Sequence, residues 1–213
     1  MTDYKYIVMC GGKYSWWETP KQLSIVAGEP IIERTIRLLK ESGVTDINIS
    51  SNNPVFENFG VEVLHHTNSF SVSDNIDGMW VDGFYPMETP VCYIFGDVVF
   101  SPEAIKKIVE TDTDDIEFFA SAPPFSDQYF KPWAEPFAFK VKNTKHFRDS
   151  INRVRELKDQ FGRHPIAWEL WQVIKGTPIN DIDFTNYVAI NDYTCDIDSP
   201  KDADVFNTKI FNR

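Results

Sequence analysis

The sequence predicts a three-layer α/β domain, a mostly parallel sheet with helices on both faces. Three observations carry this. Strand-like and helix-like segments alternate through the first half of the chain, as parallel strands joined by helical crossovers do. Residues 91–95 (VCYIF) are almost continuously apolar, the pattern of a central strand covered on both sides. Glycine turns, Cys10-Gly11-Gly12 and Gly96-Asp97, break the first strand and this central one at their carboxyl ends.

The elements follow in order. Residues 4–9 (YKYIVM) form a buried first strand. Pro30 opens a helix in which Ile32, Ile36 and Leu39 fall at i, i+4 and i+7, and Gly43 stops it. Residues 45–50 (TDINIS) alternate as a second strand, Ser51-Asn52-Asn53-Pro54 turns the chain, and residues 61–64 make a third strand ended by His65 and His66. Residues 74–81 are ambiguous, with Ser73 or Asp74 available to cap a short helix. Ser101-Pro102-Glu103 combines a hydroxyl cap, a first-turn proline and an acid at the positive end of the helix dipole, ahead of a stripe of Ile105, Ile108 and Val109. Residues 116–120 are the next strand.

From Pro123 the pattern changes. The stretch PPFSDQYFKPWAEP is rich in proline and aromatics and leads into a strand at 137–141. Residues 123–182 read as an insertion packing over the sheet edge, inside a single domain spanning 1–213. Two helices follow: one carries Phe147, Ile151 and Val154, and one starts at Pro165 with Ile166, Leu170 and Val173 on one side. On the second, Trp168 falls about 160° from the centre of that stripe, at ~100° per residue, and is expected to point outward. Residues 187–190 form a last strand, and in the terminal DIDSPKDADVF Ser199 and Pro200 serve as cap and first turn.

Composition excludes several classes. With 213 residues, 42% hydrophobic and 25% charged, the chain can bury a full core, so disorder is a poor reading. No run approaches the ~18 apolar residues of a membrane span, and the start MTDYKY lacks a basic region followed by an apolar one, so no membrane insertion and a cytoplasmic address are expected. The net charge of -11, without a Lys/Arg cluster, argues against nucleic acid. Small anionic ligands stay open, because a few cations, backbone N–H groups and a divalent metal can build a local anion site. Cys10, Cys92 and Cys195 are odd in number and far apart, and read as reduced packing residues.

In open parallel sheets ligands collect at the carboxyl ends of strands, which directs attention to three places. The loop CGGKYSWWETPKQL offers glycines for close approach to an anion and two cations, Lys13 and Lys21. It matches neither G-x-x-x-x-G-K-[ST] nor G-x-G-x-x-G, and an ordinary surface loop is the competing reading. Asp97 directly follows a buried strand, where a divalent cation or a helix-cap role would compensate its charge. In Asp196-Ile197-Asp198 the two carboxylates share one side of an extended segment, either around a metal or in solvent, while Ile197 faces the core.

Together these features resemble the nucleotidyltransferases of the GT-A-like, Rossmann-like fold, which include sugar-1-phosphate nucleotidylyltransferases and cytidylyltransferases. The stretch GGKYSWWETPKQLSIVAGEPIIERTIRLLKESGVTDINIS is similar to the family's glycine-rich signature, its P-K-x-L, its G-x-P-[LI]-[IL]-x-R helix start and its G-[VI]-x-[DE]-I. DIDSPKDAD is similar to the family's D-x-[DN]-[TS]-P-x-D ending. The resemblance implies transfer of NMP from a nucleoside triphosphate to a sugar phosphate or other small phosphorylated acceptor, with release of pyrophosphate and dependence on Mg²⁺. Cys10, Gly11, Gly12 and Lys13 would wrap the triphosphate together with Lys21 and Asp97; Lys21 and Lys13 would be the catalytic cations; Asp97, Asp198 and Asp196 would hold the metal.

The loop departs from the family's G-G-x-G-x-R, since Gly-Gly-Lys-Tyr-Ser-Trp-Trp supplies the charge of Lys13 without an arginine's fork. Trp16 and Trp17 either cover the nucleotide or pack. Lys131, Trp133, Glu135 and Trp168 are the candidates for reading the acceptor. A GT-A glycosyltransferase using a nucleotide sugar and a nucleotide-binding regulator without catalysis are the alternatives. The sequence sets no oligomeric state, with a homodimer among the options.

Overall fold

The computed structural model describes residues 3–11, 19–66, 79–160, 165–179 and 181–212. Its strands are β1 (Lys5–Met9), β2 (Ile25–Val26), β3 (Glu29–Pro30), β4 (Ile47–Ser50), β5 (Glu62–Leu64), β6 (Val91–Phe95), β7 (Val98–Val99), β8 (Ile116–Ser121), β9 (Glu135–Val141), β10 (Val188–Ala189) and β11 (Cys195–Asp196). The helices are α1 (Ile31–Glu41), α2 (Pro102–Glu110), α3 (Thr144–Leu157), α4 (Ala167–Lys175) and α5 (Pro200–Val205).

Seven strands form the central sheet in the order β10-β8-β9-β6-β1-β4-β5. β1 pairs in parallel with both β4 and β6, and β4 with β5 and β8 with β10 are parallel as well. β9 runs antiparallel between β6 and β8. The segment expected to pack over an edge therefore supplies an interior strand. Its one lysine, Lys140, tolerates this because its ammonium donates to the carbonyls of Ile108, Val109 and Thr111 at the end of α2, at 3.0, 2.9 and 2.6 Å.

Helices cover both faces. On one, Tyr93 of β6 and Phe139 of β9 face Phe147 of α3, each with ring centroids 5.6 Å apart, while Phe118 of β8 stacks on Phe139 and meets Trp171 of α4. On the other, Lys140 reaches α2, which packs beside α1. The local signals place these helices well. Ile32, Ile36 and Leu39 are buried in α1, and Gly43 takes the left-handed φ of +86° just beyond it. The Ser101 hydroxyl caps α2 by accepting from Ala104 N at 2.9 Å. Phe147, Ile151 and Val154 are the buried stripe of α3.

Trp168 contradicts its expected outward direction: it is 3% exposed, with its ring edge-on to Phe118, Phe184 and Tyr187 at 4.8–5.5 Å. α4 lies against α3 as well as the sheet, so no single stripe defines its inner side. Leu170 is buried, but Ile166 and Val173 are only half-buried. The candidate caps Ser73 and Asp74 lie outside the described residues, and a 3₁₀ turn spans Trp80–Gly83. All three cysteines are free and buried. Among the described residues no helix is long and apolar enough to cross a membrane.

Candidate active site

The site is built where β1 and β6 end side by side. Gly96 N donates to Met9 O at 3.1 Å, and a Cβ on Gly96 would stand 2.4 Å from that oxygen and 2.8 Å from the Cys10 sulfur. Only glycine fits this approach, which delivers Asp97 to the carboxyl edge of the sheet. The chain then enters β7, which pairs antiparallel with β11, and Ile197 N donates to Asp97 O at 2.9 Å. A pairing across nearly half the sequence thus sets the late acidic pair beside Asp97. Ile197 is fully buried, and Asp196 and Asp198 flank it as the extended spacing requires.

Two buried lysines enter this acidic edge. Lys21 heads the 3₁₀ turn Lys21–Leu23 and is 3% exposed; its Nζ lies 3.3 Å from Asp198 Oδ1 and 3.6 Å from Asp97 Oδ2. Lys131 is bonded to Asp196, lies 2.8 Å from Asp198 Oδ2 and 3.7 Å from Glu135 Oε1. Trp133 forms the rim: its indole N–H donates to Glu135, and Lys131 Nζ sits 5.6 Å from its ring centroid. Glu135, Asp196 and Asp198 each place a carboxylate oxygen within 4.8 Å of the others.

Among the described residues, four carboxylates (Asp97, Glu135, Asp196, Asp198) face two ammonium groups here. Burial, reinforced by the negative neighbours, pushes the Glu135 and Asp196 carboxyls well above the ordinary carboxylate range. Asp198 is held below that range: its burial is outweighed by its bond to Lys131 and by the charges of Lys131 and Lys21. Asp202 fixes the backbone at this point, because its carboxylate accepts from both Asp198 N and Ser199 N at 2.8 Å. That is half of a capping box, and the spacing of Ser199 and Asp202 carries its signal.

The structure brings Lys21, Asp97, Asp196 and Asp198 together. It also brings Lys131 and Glu135, the candidates for reading an acceptor, into the same acidic centre. Cys10 and Gly11 sit at the end of β1; the Cys10 thiol is buried, and burial together with the nearby Asp97 pushes its pKa well up. Gly12, Lys13, Trp16 and Trp17 lie outside the described residues. Trp168, proposed for the acceptor, is a core residue whose ring neighbours Phe118, Phe184 and Tyr187 belong to none of this cluster.

No protein-family profile matches the chain, and no curated protein sequence matches it. Solved structures do. A 4-diphosphocytidyl-2C-methyl-D-erythritol synthase from Anaerococcus prevotii aligns with a TM-score of 0.59 at 9% identity, covering 99% of this chain and 96% of its own. The CTP:phosphocholine cytidylyltransferase of Streptococcus pneumoniae aligns at 0.51 and 15% identity, covering 94% and 96%. A hypothetical transferase of Thermus thermophilus aligns at 0.55 and 15%, covering 94% and 99%. The likeness shows the fold, a Rossmann-like, mostly parallel α/β fold shared with these solved structures.

Proposed function

We propose that this chain is a Mg²⁺-dependent nucleotidyltransferase that moves NMP from a nucleoside triphosphate to a sugar phosphate or other small phosphorylated acceptor. The observation that carries this is the meeting of Lys21 with Asp97 and Asp198 at the carboxyl edge of the sheet. In such a transfer an acceptor phosphate oxygen attacks the α-phosphorus, the bond from that phosphorus to its bridging oxygen breaks, and pyrophosphate leaves with the bridging oxygen. No covalent intermediate is needed. Charge builds on the α-phosphoryl oxygens, and a fixed, buried ammonium such as Lys21 stabilises it. A glycosyltransferase reading gives Lys21 no comparable task.

The donor set fits a divalent cation. Asp97, Asp196 and Asp198 are hard oxygen donors, the ligand type that a divalent cation such as Mg²⁺ takes. When bound, Mg²⁺ supplies further neutralisation of the triphosphate and acts as a Lewis acid. Trp133, exposed at the rim, is the candidate contact for the acceptor. The cytoplasm is the address that accompanies these substrates. Two of the structural neighbours, the diphosphocytidyl-methylerythritol synthase and the CTP:phosphocholine cytidylyltransferase, are named for cytidyl chemistry, which makes CTP the first donor to try.

The test is a thermal-shift series with CTP, UTP, GTP, dTTP and ATP, each with and without Mg²⁺. A Mg²⁺-dependent rise with one triphosphate is expected. A rise only with UDP or a nucleotide sugar would transfer the reading to a glycosyltransferase.

A further inference from the structure

Lys131 is 6% exposed, and its ammonium lies inside the acidic centre, bonded to Asp196, 2.8 Å from Asp198 Oδ2 and 3.7 Å from Glu135 Oε1. Lys21 takes the other oxygen of Asp198. Both oxygens of Asp198 therefore already face a cation supplied by the chain. We propose that Lys131 is a tethered counter-ion that competes with the divalent cation for Asp196 and Asp198, so that metal enters this centre as the ammonium leaves it. The inference rests on the reading that these carboxylates take a divalent ion.

Two physical features support exchange over coexistence. A metal ligated by Asp196 and Asp198 would stand beside the Lys131 ammonium, and on the Asp196 side, where the Lys131 and Asp196 side chains are only 5% and 13% exposed, like charges are poorly screened. Lys131 also has somewhere to go. It lies in the stretch 122–134, which holds no helix or strand, and its ammonium is already 5.6 Å from the ring of Trp133, whose side is open to solvent at 51% exposure. An aromatic face at the rim can receive the displaced ammonium on a flexible four-carbon stem. Lys21 differs, being anchored in a 3₁₀ turn packed against α1.

The experiment is a Mn²⁺ titration without nucleotide, read from the electron paramagnetic resonance signal of the free ion, on the wild type, Lys131→Met and Lys131→Arg. Lys131→Met is expected to bind Mn²⁺ about tenfold more tightly, because it removes the competing charge, while Lys131→Arg stays near the wild type. Equal or weaker binding by Lys131→Met overturns the inference and leaves the metal reading intact. No binding by any of the three proteins overturns both. A second measurement needs no variant: amine acylation of the wild type, mapped by mass spectrometry, should rise several-fold at Lys131 when Mg²⁺ is added. Unchanged labelling there contradicts exchange.

Discussion

Lys21 and Asp198 stand 177 positions apart in the chain, yet their side chains meet with 3.3 Å between Nζ and Oδ1. The contact joins the loop after β1 to the segment after β11, and Asp97 shares the same ammonium at 3.6 Å. A cation that gathers acids from two distant strand ends is the physical centre of the proposed phosphate chemistry.

Asp97→Asn keeps the shape of that centre but removes one of its charges. Turnover with Mg²⁺ is expected to fall ~100-fold, the scale of losing a major electrostatic contact to the transition state. The rate as a function of Mg²⁺ concentration checks this. An unchanged Mg²⁺ dependence would remove Asp97 from the metal site.

Gly96→Ala acts through the backbone. The new methyl carbon would stand 2.4 Å from Met9 O, so β1 or β6 must shift. A loss of about 1–3 kcal/mol of stability is expected from this overpacking, together with a drop in turnover as Asp97 moves. Urea unfolding measures the first effect. Wild-type stability in the variant would show that the strand ends yield freely.

Lys140→Met tests the device that lets β9 lie inside the sheet. The substitution leaves three carbonyls of the α2 terminus without their shared donor. A destabilisation of about 1–3 kcal/mol is expected, chiefly from the buried Ile108 carbonyl left unpaired, and chemical denaturation measures it. A neutral result would mean that water takes over the ammonium's place.

The cysteines should be chemically silent in the native protein. All three are buried, and burial pushes the Cys92 thiol up to about 12. An aromatic disulfide reagent at pH 8 should label almost none before unfolding and all three after it, since the thiolate is the reacting form. Rapid labelling of the folded chain would contradict the packing described.

Local signals made much of this legible in the sequence. The apolar run before Gly96-Asp97, the Ser101 cap and the i, i+2 spacing around Ile197 depend on neighbours in the chain, and each stands where the sequence placed it. Glu135 and Lys131 did not reveal their place, because it follows from β9 pairing between β6 and β8 and from β11 pairing with β7. Trp168 misled for a related reason. A helix covered from more than one side carries no single apolar stripe, so periodicity alone cannot orient it.

The most direct measurement is pyrophosphate release from CTP and Mg²⁺ over a panel of phosphorylated sugars and small phosphorylated alcohols, run in parallel for the wild type and Lys21→Ala. Acceptor-dependent release is expected from the wild type, falling at least ~100-fold in Lys21→Ala. Equal release by both proteins, or a wild type that binds CTP with Mg²⁺ yet releases nothing with any acceptor, would contradict nucleotidyl transfer through Lys21.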